Sequence, residues 1–404
     1  MTMQTNNRII GAIIGDIVGS DFEFDKRIHN KFKLFRSTCS FTDDSVLTVA
    51  IADALLHGRS FGDAIWDWGS RYTYAGFGGS FRKWKQLRKS DPNATNDSKG
   101  NGSGMRATPI GFFAKSVDEA MSLAKESAMI THNSPGGIAG AQSIAVAVFM
   151  AKEKRSKEEI RGFIEDTFGY NLHMAYDEIR RQVIELDNAK NTLRQREWAE
   201  NTCPLAIMAF LYSTGYEDAI RKAVSYGGDV DTIACMAGGI AAAYYGVPQD
   251  IINAAARFLP NDIIAVVNEF DGLNLENRET PAMIDRWAKR GHVIVYGSGP
   301  SMNNETKGFL AKRRFRSMNQ LEGLCGDSYA IPTVGATLEE VKAAIGRFTE
   351  FVAGHPELEF IVTDIGCTKK AGFSPTEIAP MFKSIAAAGN VYLPGKFREV
   401  IAAI

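Results

Sequence analysis

The sequence predicts a multidomain protein, with an all-α domain over residues 7–288 followed by a small α/β domain over residues 290–404. Three observations carry this reading. At 404 residues the chain exceeds one domain of about 150 residues. Helical periodicity dominates its first two-thirds, and the composition shifts near residue 290. Apolar residues make up 45% of the chain, charged residues 23% and aromatic residues 10%, which excludes disorder, collagen and coiled coil as descriptions of the whole.

In the first domain, Asp44 to Leu56 places Leu47, Ala50, Ile51, Ala54 and Leu55 at the spacing of one helix face. Ile138 to Met150, Ile160 to Phe168, Pro204 to Tyr212 and Ile233 to Tyr245 repeat the pattern, and small-residue runs such as AGGIAAAYYG allow backbones to approach closely. Beyond residue 290 the runs HVIVYGS, ELEFIVTDIG and NVYLP are β-branched or aromatic and end in Gly or Pro, while Thr337 to Val352 between them has helical spacing. Strands alternating with helices imply an α/β fold. The join, ENRETPAMIDRWAKRGH, reads as a helix ending at Gly291, and the only low-complexity stretch, Ser90 to Gly104, reads as a surface loop.

Lys and Arg number 46 against 47 Asp and Glu, a formal charge of −1, so neither non-specific nucleic-acid binding nor attraction to anionic membranes is expected. The five cysteines (Cys39, Cys203, Cys235, Cys325, Cys367) are scattered and never in CxxC spacing, which predicts reduced thiols rather than disulfides or a zinc site. The opening MTMQTNNRII lacks the features of a signal peptide, and the least polar stretch, Ile233 to Val247, is too short to span a bilayer. The expected compartment is the cytoplasm.

Two acidic clusters stand far apart, Thr42-Asp43-Asp44 and Asp229-Val230-Asp231-Thr232, each directly before an apolar helical run. Either cluster alone also fits the ordinary use of Asp and Thr as N-caps and first-turn charges. Together they supply four carboxylates and two hydroxyls with no flanking His or Cys, an all-oxygen set suited to Mg²⁺, Ca²⁺ or Mn²⁺ rather than zinc. Two further segments could complete a pocket: Gly15-Asp16 through Gly19-Ser20-Asp21-Phe22-Glu23, and the glycine-rich Gly100-Asn101-Gly102-Ser103-Gly104, whose backbone amides could approach phosphate.

The segments RIIGAIIGDIVGSDFEF, FTDDSVLTVAIADALL, GNGSGMRATPIGFFA, THNSPGGIAGAQSIAVAVFMA and SYGGDVDTIACMAGGIAAAYYG, in this order, resemble the ADP-ribosylglycohydrolase family over roughly residues 7 to 275. The resemblance implies an all-α fold with two divalent ions, usually Mg²⁺ with Mn²⁺ as an alternative. It implies metal ligands at Thr42, Asp43, Asp44, Asp229, Asp231 and Thr232, and catalytic roles for Glu23, Asp43, Asp44 and Asp231. It assigns Asn101, Gly102, Ser103 and Gly104 to the loop around the diphosphate, and His132 to the wall of the ADP-ribose cleft. Without the resemblance His132 would read as a structural histidine. Val230, between the aspartates, and Ser103-Gly104 depart from the family pattern, and neither departure removes a metal ligand.

The implied activity is hydrolysis of the bond between ADP-ribose and an acceptor (a protein side chain, a nucleic acid or a small molecule), releasing ADP-ribose. The alternative on the same scaffold is an ADP-ribose-binding reader or pseudoenzyme. Four intact, mutually repelling aspartates favour the enzyme, and a phosphatase or nuclease using the same ions runs against the resemblance. The C-terminal domain is similar to macrodomains in its Gly turns and strand order. GPSMNNETKGFLAKR after Ser298 is poor in glycine for a nucleotide loop, so the expectation is a binding or targeting module, with a vestigial domain as the alternative. The similarity implies a ligand cleft at Gly366 and Cys367, at the end of a strand, where Cys367 otherwise reads as a buried thiol.

Overall fold

The computed structural model describes residues 8–23, 31–188, 195–289, 291–300, 303–318 and 320–404. The opening residues read above for a signal peptide, the start of the first domain at residue 7, Phe24 of the first motif, and Ser301 and Met302 after Ser298 lie outside these stretches, apart from Arg8, Ile9 and Ile10. The chain divides into two compact units, Met1–Glu276 and Asn277–Ile404. Among the described residues no helix is long and apolar enough to cross a membrane, and all five cysteines are free thiols.

The first unit is helical, and its centre is set by sequence. Ile10–Gly19 is buried on every side, and Val230–Tyr245 is buried except at its last two residues. A helix apolar all round belongs inside a protein. Gly11, Gly15 and Gly19, one per turn on one face of the first helix, let its backbone lie directly against the second. A Cβ at Gly11 would stand 2.9 Å from the Gly238 carbonyl oxygen, one at Gly15 2.0 Å from that of Ala234, and one at Gly19 2.5 Å from the Asp231 Cα.

Asp43–His57 is a third helix buried on every side over residues 44–54 rather than a one-sided amphipathic one, and only its two ends reach the surface. Thr42 caps it, its Oγ1 accepting from the Asp44 N–H, and Gly58 ends it at φ +62°. The other expected helices form as Pro135–Lys152, Lys157–Phe168 and Ala199–Leu211. The last begins five residues before Pro204, which then lies inside it. Its start is anchored where the Ala199 N–H donates to the Lys99 carbonyl at 2.9 Å.

The second unit contains a five-stranded sheet in the order β2-β3-β1-β4-β5, with β1 His292–Ser298, β2 Gly323–Cys325, β3 Ser328–Pro332, β4 Glu359–Val362 and β5 Val391–Tyr392. β1 runs parallel to both β3 and β4, and β4 to β5; only β2 is antiparallel. Helix Leu338–Gly354, started by a capping box between Thr337 and Glu340, lays Val341, Ile345 and Phe348 on the core against Val295 and Phe360. Residues 277–288, read above as the end of the first domain, are bonded into this unit. Thr280 donates its N–H to Leu393 O (2.9 Å) and its Oγ1–H to Val362 O (2.7 Å), and Trp287 stacks on His292.

Candidate metal centre and ligand cavity

Both acidic clusters sit at helix N-termini in the first unit, as their positions before apolar runs imply. Asp43 and Asp44 open the helix capped by Thr42. Asp229 is the N-cap residue of Val230–Tyr245 and Asp231 lies in its first turn. Gly227 and Gly228, both at φ +79°, turn the chain into this second helix through a conformation that favours glycine. The dipoles of both helices favour negative charge at the point their N-termini share.

Asp16 holds the N-terminus of the Asp43–His57 helix from the middle of the first helix. Wholly buried, its carboxylate accepts from the Thr42 N–H (2.8 Å) and Oγ1–H (2.7 Å) and from the Ser45 N–H (3.1 Å) and Oγ–H (2.5 Å). Three of these bonds fall on Oδ2 and one on Oδ1, which keeps a lone pair, so Asp16 acts as a bracket for the Asp43–His57 helix. The Thr42 hydroxyl, expected as a ligand, has Asp16 Oδ1 at 2.7 Å and Asp44 Oδ2 at 3.2 Å as acceptors for its proton, which leaves an oxygen lone pair for that expected role.

Carboxylate oxygens of Asp16, Asp44 and Asp231 lie within 4.8 Å of one another, and so do those of Glu23, Asp229 and Asp231. Asp231 belongs to both groups. Asp44 Oδ2 accepts from Thr232 Oγ1 at 3.2 Å, whereas Asp44 Oδ1 is buried and accepts no hydrogen bond. A buried carboxylate oxygen left without a donor is costly, and a cation is what this all-oxygen set would take. Burial and, after it, like charges push Asp43 up to about 8 and Asp44 and Asp231 well above the ordinary carboxylate range, and burial raises Asp16 and Asp229.

The centre forms one wall of a cavity of about 650 Å³, lined among others by Glu23, Asp43, Asp44, Asp229, Asp231 and Thr232. The wall also includes Gly100, Asn101, Gly102 and His132. Asn101 turns its amide to Asp229, Nδ2 donating to Oδ2 at 2.6 Å, so it positions a centre residue as well as lining the cavity. Ser103 and Gly104 are placed differently from the expectation. Ser103 is buried and donates to the Gly137 carbonyl at 2.7 Å. Gly104 abuts Cys203 and Met236, where a Cβ would meet their sulfurs at 2.8 and 3.1 Å. Neither lines the cavity, because the loop turns inward as the short helix Asn101–Ser103.

Asp16, read above only as part of a segment that could complete a pocket, was given no role of its own, although a lone aspartate within IGAIIGDIVG was the signal for one. Sequence reasoning also missed Lys99, Glu197 and Trp198 on the cavity wall. Gly100 and Trp198 pair as an antiparallel bridge, and the Lys99 ammonium lies 4.7 Å from the Trp198 ring centre. That pairing joins segments about a hundred residues apart and leaves no periodic trace.

The family model described as ADP-ribosylglycohydrolase matches residues 5–280. The chain belongs to the ADP-ribosylglycohydrolase family. Its relatives include the ADP-ribosylhydrolase ARH3 of Danio rerio, 24% identical over 61% of this chain and 84% of that protein. ARH3 of Homo sapiens is 27% identical over 64% and 90%. ADP-ribosylarginine hydrolase Tri1 of Pseudomonas putida is 23% identical over 60% and 71%. The mostly helical ADP-ribosylglycohydrolase fold of the first unit is thus accounted for, and the acidic cluster at its heart is consistent with metal binding in this hydrolase family.

Proposed function

We propose that the first unit is a divalent-metal-dependent hydrolase that cleaves the bond between ADP-ribose and an acceptor, releasing ADP-ribose. The observation that carries this reading is the convergence of Glu23 and four aspartates of the two helix N-termini on one cavity wall, with Asp44 Oδ1 buried and without a donor. Thr42, Asp43, Asp44, Asp229, Asp231 and Thr232 would hold two ions, Mg²⁺ first and Mn²⁺ as a substitute, with Thr42 and Asp44 steadied by the Thr42 bonds to Asp16. Bound there, such ions polarise oxygen ligands and lower the pKa of water.

The chain's own groups divide the remaining work. Bond cleavage at an anomeric carbon develops positive, oxocarbenium-like charge, and the carboxylates on the cavity wall stabilise it. Glu23, grouped with Asp229 and Asp231, is the group we assign to accepting a proton from the attacking water. Gly100 and Gly102 keep the loop backbone bare toward the diphosphate, and Asn101 fixes Asp229. The acceptor is an ADP-ribosylated protein side chain, nucleic acid or small molecule. The second unit, proposed as a macrodomain-like binding or targeting module, is not assigned a second reaction. The space behind Gly297 at the end of β1 is filled by the buried Glu305 carboxylate, which accepts from Thr333 Oγ1 (2.5 Å) and the Gly366 N–H (2.8 Å).

The test is calorimetric titration of ADP-ribose with Mg²⁺ and then with EDTA, followed by product analysis on a panel of ADP-ribosylated acceptors. Metal-dependent binding and release of ADP-ribose are expected. Binding without release from any acceptor would favour the reader, and absence of binding would overturn the ligand assignment.

A further inference from the structure

Arg106 is wholly buried, and among the described residues no carboxylate lies within ion-pair distance of it. Such a cation survives only by donating to neutral acceptors. Its Nη1 donates to the Gly102 carbonyl (3.1 Å). Its Nη2 donates to the Ser127 carbonyl and to Thr131 Oγ1 (both 2.9 Å). Burial lowers its pKa to about 9, which leaves it charged at neutral pH.

A guanidinium has no acceptor atom, so the direction of the Arg106–Thr131 bond is fixed: Thr131 Oγ1 accepts. The threonine hydroxyl keeps one proton to give, and His132 Nδ1 lies 2.7 Å away. No other acceptor for that proton lies within hydrogen-bonding distance among the described residues. His132 Nδ1 is then an acceptor and the ring proton resides on Nε2. Burial and, after it, the Arg106 charge hold the His132 pKa well below its ordinary value, so the ring is neutral. Its Nε2 edge lies over the glycine loop: a Cβ at Gly102 would come within 3.0 Å of Nε2, and one at Gly100 within 3.6 Å. Side-chain-free glycines therefore leave that edge facing the cavity that His132 lines.

We propose that Arg106 is a positioning residue which, through Thr131, fixes the tautomer of His132 so that a neutral imidazole presents Nε2–H to the cavity as a permanent donor for an acceptor oxygen of the bound ligand. The same guanidinium holds the Gly102 carbonyl, coupling the loop to the ring. The use of this donor rests on the hydrolase reading above; the tautomer does not.

Imidazole ¹⁵N spectra of the full chain labelled at histidine, recorded without ligand, read the tautomer directly, with His132→Gln supplying the assignment. The wild type should show protonated Nε2 and bare Nδ1. Thr131→Val, nearly isosteric, should move the ring toward the other tautomer, and Thr131→Ser should restore it. With Mg²⁺ present, Thr131→Val should weaken ADP-ribose binding about tenfold, the scale of one charge-assisted hydrogen bond, and Thr131→Ser should recover most of the loss. On any acceptor that is cleaved, KM should rise with kcat nearly unchanged. Arg106→Lys is a second probe, used if its melting curve shows a folded protein. A wild-type ring protonated on Nδ1 or on both nitrogens, or a valine variant with an unshifted tautomer, overturns the proposal. The expected tautomer shifts together with no ADP-ribose binding by the wild type would leave the relay standing and remove the functional reading.

Discussion

Replacing Gly15 by alanine should loosen the metal centre without touching a ligand. The new Cβ would stand 2.0 Å from the Ala234 carbonyl oxygen, 2.5 Å from its carbon and 2.8 Å from the Cys235 nitrogen. The shortest of these is roughly 1.4 Å inside the 3.4 Å at which ordinary contact begins, and all three atoms are backbone, which no rotamer change can clear. The helices Ile10–Gly19 and Val230–Tyr245 must therefore separate, which carries Asp16 away from Asp231. Overpacking costs about 1–3 kcal/mol, and the helix preference of alanine over glycine returns up to about 1 kcal/mol. The net expectation is a loss of about 2 kcal/mol, or a melting temperature lower by roughly 4–8 °C for a unit of this size. Because Mg²⁺ demands near-ideal octahedral geometry, its affinity should fall on the order of tenfold or more. Gly162 is the matched control. It lies inside helix Lys157–Phe168 with nothing within 4 Å of its Cβ position, so Gly162→Ala should gain about 0.5–1 kcal/mol and leave metal binding unchanged. Thermal melts and Mg²⁺ titrations of both variants check this. A Gly15→Ala protein as stable as its parent with unaltered affinity would refute the reasoning.

Mg²⁺ or Mn²⁺ at a hundredfold excess over its dissociation constant should stabilise the protein by about 2.7 kcal/mol, and EDTA should reverse the gain in a thermal melt. Asp231→Ala, which removes the carboxylate shared by both groups, should abolish that gain and turnover together. Asp44→Asn should also lose the metal response, while its metal-free form should lose less stability than the metal-free parent as pH rises, because it has no carboxyl there to ionise against burial and its like-charged neighbours. Asp271, which accepts from the Ile9 and Ile10 N–H groups at 2.8 and 2.9 Å, is pushed up to about 7 by burial. The folded protein thus holds a proton there that the unfolded chain releases near 3.8, so this group's stabilisation is full below that pH and declines as pH rises toward 7. Asp271→Asn should flatten that decline in urea titrations at about pH 5 and about pH 8, at a constant cost of about 1–3 kcal/mol for one mismatched acceptor. Equal slopes in variant and parent would remove Asp271 as the cause.

What could be read from the sequence was whatever repeats at short range. Helix Ile160 to Phe168 and strand His292 to Ser298 were visible because period and turn signals are local. The two acidic clusters stood out because each abuts an apolar run. The inward turn of Ser103 and Gly104 was not visible, because it depends on Gly137, Cys203 and Met236, far along the chain. The strands β2 and β3 escaped for another reason: three and five residues joined by a tight turn give too few alternations to register. Asp16 is intermediate. Its glycines at four-residue spacing announce a close helix crossing, made with Val230–Tyr245, but only the fold shows that a third helix, Asp43–His57, brings Thr42 and Ser45 to Asp16.

The clustering of carboxylates is itself an argument about function. A single first-turn aspartate gains about 0.3–1 kcal/mol from a helix dipole, and two helix N-termini extend that to Asp43, Asp44, Asp229 and Asp231. Two unit charges 4 Å apart at an effective dielectric of about 20 repel by about 4 kcal/mol, so full ionisation of the cluster would exceed everything the dipoles return, and the raised pKa values of Asp43, Asp44 and Asp231 are the form that cost takes. Hydrogen bonds offset part of the rest, from Thr232 to Asp44 and from Asn101 to Asp229, yet Asp44 Oδ1 receives none. The fold therefore holds its carboxylates at a net cost, and it does so with two close-packed helices, a bracketing Asp16 and a pair of left-handed glycines at 227 and 228. Structure maintained against its own electrostatics in this way is compensated by protons or by a cation, and a cation bound there would displace those protons and face the cavity beside it.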